Sequence, residues 1–154
     1  LRAAGRGVGR PARLLRREQC AAGAEVAAGL RVPPETPVLC LERLRLADDE
    51  PMAIERAHYC FAGMDMLDGA LDGSLYELLH ERFGLIPAEA LQEFEARLAT
   101  PPEQELLRIG AGAPVLTIAR TTFDLSPRPF EFVQAVYRAD RYRFVARLLR
   151  EVER

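Results

Sequence analysis

Residues 37–59, PVLCLERLRLADDEPMAIERAHY, hold two runs of strand-forming residues around a short polar break. In 37–47 the apolar residues fall on both parities. Val38, Cys40, Leu44 and Leu46 share one face, and Leu39 and Leu41 take the other, as in a strand covered on both sides. Asp48, Asp49, Glu50 and Pro51 make the turn, and residues 52–59 return as a second strand. So short a connection forces an antiparallel hairpin. The pattern recurs near the other end. PVLTIARTTFD over 114–124 turns at SPRP (126–129) and comes back as FEFVQAVYRA over 130–139. Hairpins with helices between them describe an α+β domain, a mainly antiparallel sheet with flanking helices, and exclude a βαβ fold.

Between the hairpins the spacing predicts a helix over 73–84, with Leu75, Leu78, Leu79 and Phe83 on one side. Ser74 and Glu77 have the S-x-x-E spacing of a capping box, and Gly84 suits a left-handed stop. A modest helix is expected over 21–30, closed by Gly29 and then Pro33 and Pro34, and a short strand over 14–18. Residues 90–99 read two ways: Leu91, Phe94 and Leu98 fit a helix, whereas Phe94, Ala96 and Leu98 alternate with Glu93, Glu95 and Arg97 as in a strand. Pro101 and Pro102 open a short helix ending at Gly110, and the tail from 141 to 154 suits an edge strand or a short helix. The chain has no internal repeat and no glycine-rich phosphate loop.

At 154 residues the length fits one domain. No apolar run approaches the ~18 residues of a membrane span, so no membrane partner is expected. All 21 basic residues are Arg, yet the net charge is −2, which offers no domain-wide footprint for nucleic acid. Positive charge is concentrated locally in Arg2, Arg6, Arg10, Arg13, Arg16 and Arg17; residues 1–12 read as a linker. The chain starts at Leu1 with no signal-peptide pattern, and so reads as a piece of a longer cytoplasmic protein. Cys20, Cys40 and Cys60 lack any ligand spacing, and reduced thiols are the default. His58 and His80 belong to no metal motif, so neither a metal nor another cofactor is expected.

Several polar residues share strand faces. Arg43 and Arg45 are two apart in a strand, on the side of Leu39 and Leu41. Such a pair points to solvent, makes an internal salt bridge, or jointly holds a carboxylate or phosphate. Ser74 stands at a helix start, where it either caps the helix or adds a hydroxyl to an anion site. Tyr76 lies in the same first turn. Glu55 shares a strand face with Ala53, Ala57 and Tyr59; Glu131 and Tyr137 share one with Val133 and Ala135. An acid in such company is a core carboxylate paired with Arg, or an acceptor for sugar hydroxyls or an amide N–H.

An ordered series of motifs resembles the UTRA effector-binding domain of GntR-type regulators in the HutC branch. The series is RLRLADDEPMAIE (43–55), GSLYELL (73–79), GAGAPVL (110–116), PFE (129–131) and YRADRYRF (137–144). The resemblance implies a chorismate-lyase-like fold, usually a homodimer, over residues 13–154, and it favours the strand reading of residues 90–99. It also implies DNA contact only through an N-terminal winged helix-turn-helix domain lying outside this chain. By position, Arg43, Arg45, Ser74 and Tyr76 would hold a phosphate, and Glu55, Glu131 and Tyr137 would read a sugar or its N-acetyl group. The expected effector is a small anionic metabolite, such as N-acetylglucosamine 6-phosphate. Ala139 departs from the family, where Gly commonly precedes the Asp, and Arg56 is large for its place beside the hairpin.

Two other functions fit the same face. A lyase-like enzyme would use Glu55 or Glu131 as general acid and Arg43 as anion anchor. The sequence supplies no nucleophile–base pair for it, and His58 has the wrong parity to face Glu55. A ligand-free dimerisation domain would have Arg43 and Arg45 fully paired to internal acids and no cavity.

Overall fold

A computed structural model of the chain describes residues 12–64 and 75–146. Among these, the elements run β1 (Ala12–Ala21), α1 (Ala24–Leu30), β2 (Pro37–Ala47), β3 (Glu50–Tyr59), α2 (Leu75–Phe83), β4 (Glu89–Leu98), α3 (Pro101–Leu107), β5 (Pro114–Phe123) and β6 (Pro129–Arg138). The strands form one six-stranded sheet in the order β1-β2-β3-β6-β5-β4, and every neighbouring pair is antiparallel. This is the expected α+β class.

The β2–β3 hairpin closes on Asp48 and Asp49, both left-handed with φ of 51° and 61°. Two such residues make the turn whose twist matches the strands, and Asp tolerates the conformation better than most side chains. The sheet is covered on both faces, which explains the double-parity apolar pattern of β2. On one face α1 packs Ala27 and Leu30 against Val38 and Phe132, and α3 packs Leu107 against Leu44, Ile54 and Val115. On the other, Leu79 of α2 is buried among Leu39, Leu41, Ala57, Tyr59, Val133 and Ala135.

Some boundaries differ from expectation. β1 is longer than residues 14–18 and pairs with β2 throughout, with a bulge between Leu14 and Arg16. Ala21 is therefore a strand residue, and α1 starts after Gly23. That helix ends on Arg31 in the left-handed region, not at Gly29, with the Arg31 and Val32 N–H groups donating to the Ala28 and Ala27 carbonyls. Similarly, α3 stops on left-handed Arg108, before Gly110. Residues 89–98 are a strand because every residue finds a partner on β5. The tail from 141 to 146 is neither strand nor helix. Ser74, which with Glu77 would make the capping box, lies outside the described residues, although the helix does stop at Gly84 (φ 66°).

Candidate functional site

Strand register assembles the site face in four rows across β2, β3, β6 and β5. They are Leu39, Tyr59, Glu131, Thr122; then Leu41, Ala57, Val133, Arg120; then Arg43, Glu55, Ala135, Ile118; and last Arg45, Ala53, Tyr137, Leu116. Ala53, Ala57 and Ala135 keep the middle of the face low, so the longer polar side chains lean over it from both ends.

Arg43 and Arg45 converge on Glu55. Arg43 lies directly opposite Glu55 in the register and donates to it through Nη2. Arg45 donates from Nε at 3.2 Å and from Nη2 at 3.1 Å. Burial by itself raises the Glu55 carboxyl, but the two guanidiniums outweigh it and hold the group below its ordinary value. Arg43 Nε is buried and has no acceptor among the described residues.

A second cluster forms around Glu131, which is 3% exposed. It accepts from Tyr59 at 3.0 Å, from Tyr76 at 2.8 Å and from Thr122 at 2.6 Å. Arg120 stands 3.7 Å away and donates to the Tyr76 hydroxyl at 3.2 Å. Tyr76 therefore ties α2 to the sheet through one oxygen that both gives and receives a hydrogen bond. Burial beside the Glu131 charge pushes its phenol far above the ordinary value. Tyr137 stacks on Tyr142, with ring centroids 4.2 Å apart, where the chain after β6 turns back over this face.

Six of the seven sequence-nominated residues thus sit on this face or, for Tyr76, reach it from α2; Ser74 falls outside the described residues. Tyr76 stands with Glu131, not with the Arg43 and Arg45 pair. Arg120, Thr122, Tyr59 and Tyr142 also belong to the face and were not nominated. Arg120 carried the one available signal, a lone guanidinium at the parity of Leu116, Ile118 and Thr122. His58 lies on the opposite face, tilted 32° against Phe132 at 6.5 Å, as its parity required. Arg56 also points that way, exposed and paired to Glu42 at 2.9 Å. Ala139 is absent from the positive-φ residues, so its replacement of Gly costs the backbone nothing here.

A cavity of about 330 Å³ lies elsewhere, lined by Arg108, Ile109, Gly110, Ala113, Pro114, Arg138 and Asp140. Arg138 is paired there with Asp140 at 2.7 Å, and Arg108 is the second guanidinium of the lining. Among the described residues no helix is long and apolar enough to cross a membrane.

Comparison with known proteins places this geometry in a family. The UTRA domain model matches residues 6–143. The HTH-type transcriptional repressor NagR of Bacillus subtilis is 42% identical over 124 residues, covering 79% of this chain and 50% of that protein. A crystal structure of a transcriptional regulator from Streptomyces coelicolor, 38% identical, superposes with a TM-score of 0.81 over 90% of this chain and 95% of its own. The ligand-binding domain of a GntR-family regulator from Bordetella bronchiseptica, 25% identical, gives a TM-score of 0.81 over 91% and 92%. The chain spans about half the length of the curated relatives it matches. Sequence and sheet agree, and the chain belongs to the UTRA domain family, the effector-binding domain of GntR-type transcription regulators.

Proposed function

We propose that this domain senses a small phosphate-bearing metabolite, a sugar phosphate such as N-acetylglucosamine 6-phosphate. As a homodimer it passes the signal to an N-terminal winged helix-turn-helix domain, with residues 1–12 as the linker and residues 13–154 as the sensor. The observation that carries this reading is the convergence of Arg43 and Arg45 on the single carboxylate of Glu55. With Arg120 and Glu131, three guanidiniums face two carboxylates, leaving one positive charge in excess on a largely covered surface. Guanidinium forks match phosphate oxygens two at a time, and Arg43 Nε still lacks an acceptor among the described residues. In this reading Arg43, Arg45 and Ser74 hold the phosphate, joined by Tyr76 once its hydroxyl leaves Glu131, while Glu55, Glu131 and Tyr137 take the sugar. The domain acts by binding and not by catalysis. The effector shifts dimer geometry only to the extent that it prefers one dimer state.

A thermal-shift series tests this with N-acetylglucosamine 6-phosphate, glucosamine 6-phosphate, other sugar phosphates, urocanate and inorganic phosphate, against wild type and Arg43→Ala. A ligand at a hundred times its Kd adds ~2.7 kcal/mol to a two-state domain. The expected result is a selective sugar-phosphate shift that disappears in Arg43→Ala. No shift with any of these anions overturns the reading. Small-angle scattering of the full-length regulator tests the signalling step: unchanged dimer geometry on binding counts against it.

A further inference from the structure

β4 is an edge of the sheet, and its outer side has no strand partner among the described residues. The Ala99 N–H donates to the Ala113 carbonyl on the β5 side. Strand alternation therefore turns the backbone N–H and C=O groups of Phe94, Ala96 and Leu98 outward. The Leu98 carbonyl accepts from Arg97 Nη1 at 3.1 Å and keeps a second lone pair. An edge of this kind templates pairing with another chain. The side chains of the same three residues point to the α2 side, since Phe94 lies opposite Ile118 of that core. Phe94 stacks on Phe144, with ring centroids 4.3 Å apart. Leu98, Phe144 and Val145 are 64%, 41% and 68% exposed. Single surface leucines are ordinary, but apolar side chains gathered along an open edge mark a contact surface.

We infer that a second copy of this chain pairs with β4 edge to edge, antiparallel about a two-fold axis at Ala96, and joins the two six-stranded sheets into one. This rests on the dimer reading above and specifies the edge and the register. A two-fold axis normal to the sheet sets residues of the same face opposite each other. Centred on Leu91, Gln92, Glu93, Phe94 or Glu95, such pairing puts glutamate opposite glutamate; centred on Arg97, it puts that guanidinium opposite itself. Like charges directly opposite are destabilising. Centred on Ala96, it sets Glu95 opposite the partner's Arg97, twice over by symmetry. Arg97 holds Glu103 of its own chain at 2.7 Å, yet its side chain is still 36% exposed. The same register lays the partner's Leu98 opposite Phe94, beside the Phe144 ring, so the exposed apolar groups cover one another. It also pairs every outward backbone group of Phe94, Ala96 and Leu98. Two residues before Phe144, Tyr142 stacks on Tyr137 of the effector face. One short segment thus touches both the effector face and the interface.

Analytical ultracentrifugation of this chain tests the edge. Wild type should be a dimer, and Leu98→Glu should weaken association at least about tenfold, because it brings a carboxylate against apolar partners. Leu14→Glu changes a leucine 48% exposed on β1, the opposite edge, and should leave the dimer intact. Cross-linking tests the register. In Ala96→Cys with oxidised glutathione, the two symmetry-related thiols should form an intermolecular disulfide, giving up two protons and two electrons to the oxidant. In Gln92→Cys the two thiols stand about 26 Å apart in this register and should not cross-link, nor should wild type with Cys20, Cys40 and Cys60. A wild-type dimer that Leu98→Glu leaves intact, or that Leu14→Glu dissociates equally, overturns the inference and leaves the dimer reading standing. Cross-linking no stronger at 96 than at 92 overturns it too. Monomeric wild type overturns both readings. If Leu98→Glu does not fold, the cross-linking pair decides alone.

Discussion

Glu55 sets one carboxylate against two guanidiniums, and that ratio makes it the residue whose loss is felt most directly. Glu55→Ala leaves Arg43 and Arg45 facing each other without a counter-charge. The expected cost in urea unfolding is about 2 kcal/mol, less than for a sealed ion pair, because the Arg45 side chain is 28% exposed. Added sulfate should return part of that stability to Glu55→Ala and less to wild type, since an anion can take the place of the carboxylate. A loss that sulfate does not touch would mean the pair is not open to external anions. On the opposite face, burial holds His58 below its ordinary value of 6.5, against a hydrogen bond with the Phe132 backbone and with Arg56 and Arg16 adding to the depression. The unfolded chain therefore takes up the proton first as pH falls. The stability that neutral His58 secures is complete above about pH 6.5 and declines below it, toward the depressed folded value. Unfolding midpoints measured from pH 7 to pH 5 should fall in wild type and fall less steeply in His58→Gln.

At the scale of elements, α1 shows how tertiary packing overrides local preference. Gly29 lies inside that helix, where alanine would ordinarily be better by about 1 kcal/mol. Here a Cβ at position 29 would stand 2.3 Å from Cδ2 of Phe132, and that ring is held in the sheet core. Gly29→Ala should therefore destabilise the domain by about 1–3 kcal/mol, as overpacking does; a rise in Tm would show that the ring moves aside cheaply. The edge strand β4 teaches the same lesson from the other direction. Its sequence fits a helix and a strand alike, and only the row of β5 partners from Pro114 to Phe123 decides between them. The helix stops at Arg31 and Arg108 were missed for a related reason. Glycines lay nearby to draw the eye, yet each chain turns where its last carbonyls are satisfied.

Across the described residues, one sheet separates two surfaces: the face under α2, where the Arg43, Arg45 and Glu131 clusters lie beside an apolar core, and the face packed by α1 and α3. Substitutions on the second should leave binding on the first intact. Phe132→Leu, in the α1 cluster, should lower stability by about 1–2 kcal/mol. Its effector affinity should stay within about twofold of wild type, because its ring projects to the face opposite the neighbouring Glu131. A large affinity loss would reveal coupling through the sheet.

The sequence alone determined the two hairpins, the antiparallel class, the strand faces and the pairing of Arg43 with Arg45, because side-chain parity along a strand is a local property. It also marked Glu55, Glu131 and Tyr137 as sharing strand faces with small apolar residues. What it left open was which strands become neighbours. Only the order β3-β6-β5 brings Thr122 and Arg120 of β5 beside Glu131 of β6, and Tyr59 of β3 opposite it. Only the packing of α2 brings the Tyr76 hydroxyl to that carboxylate. Long-range register and the docking of a helix depend on burial summed over the whole core, and no short window of sequence contains that sum.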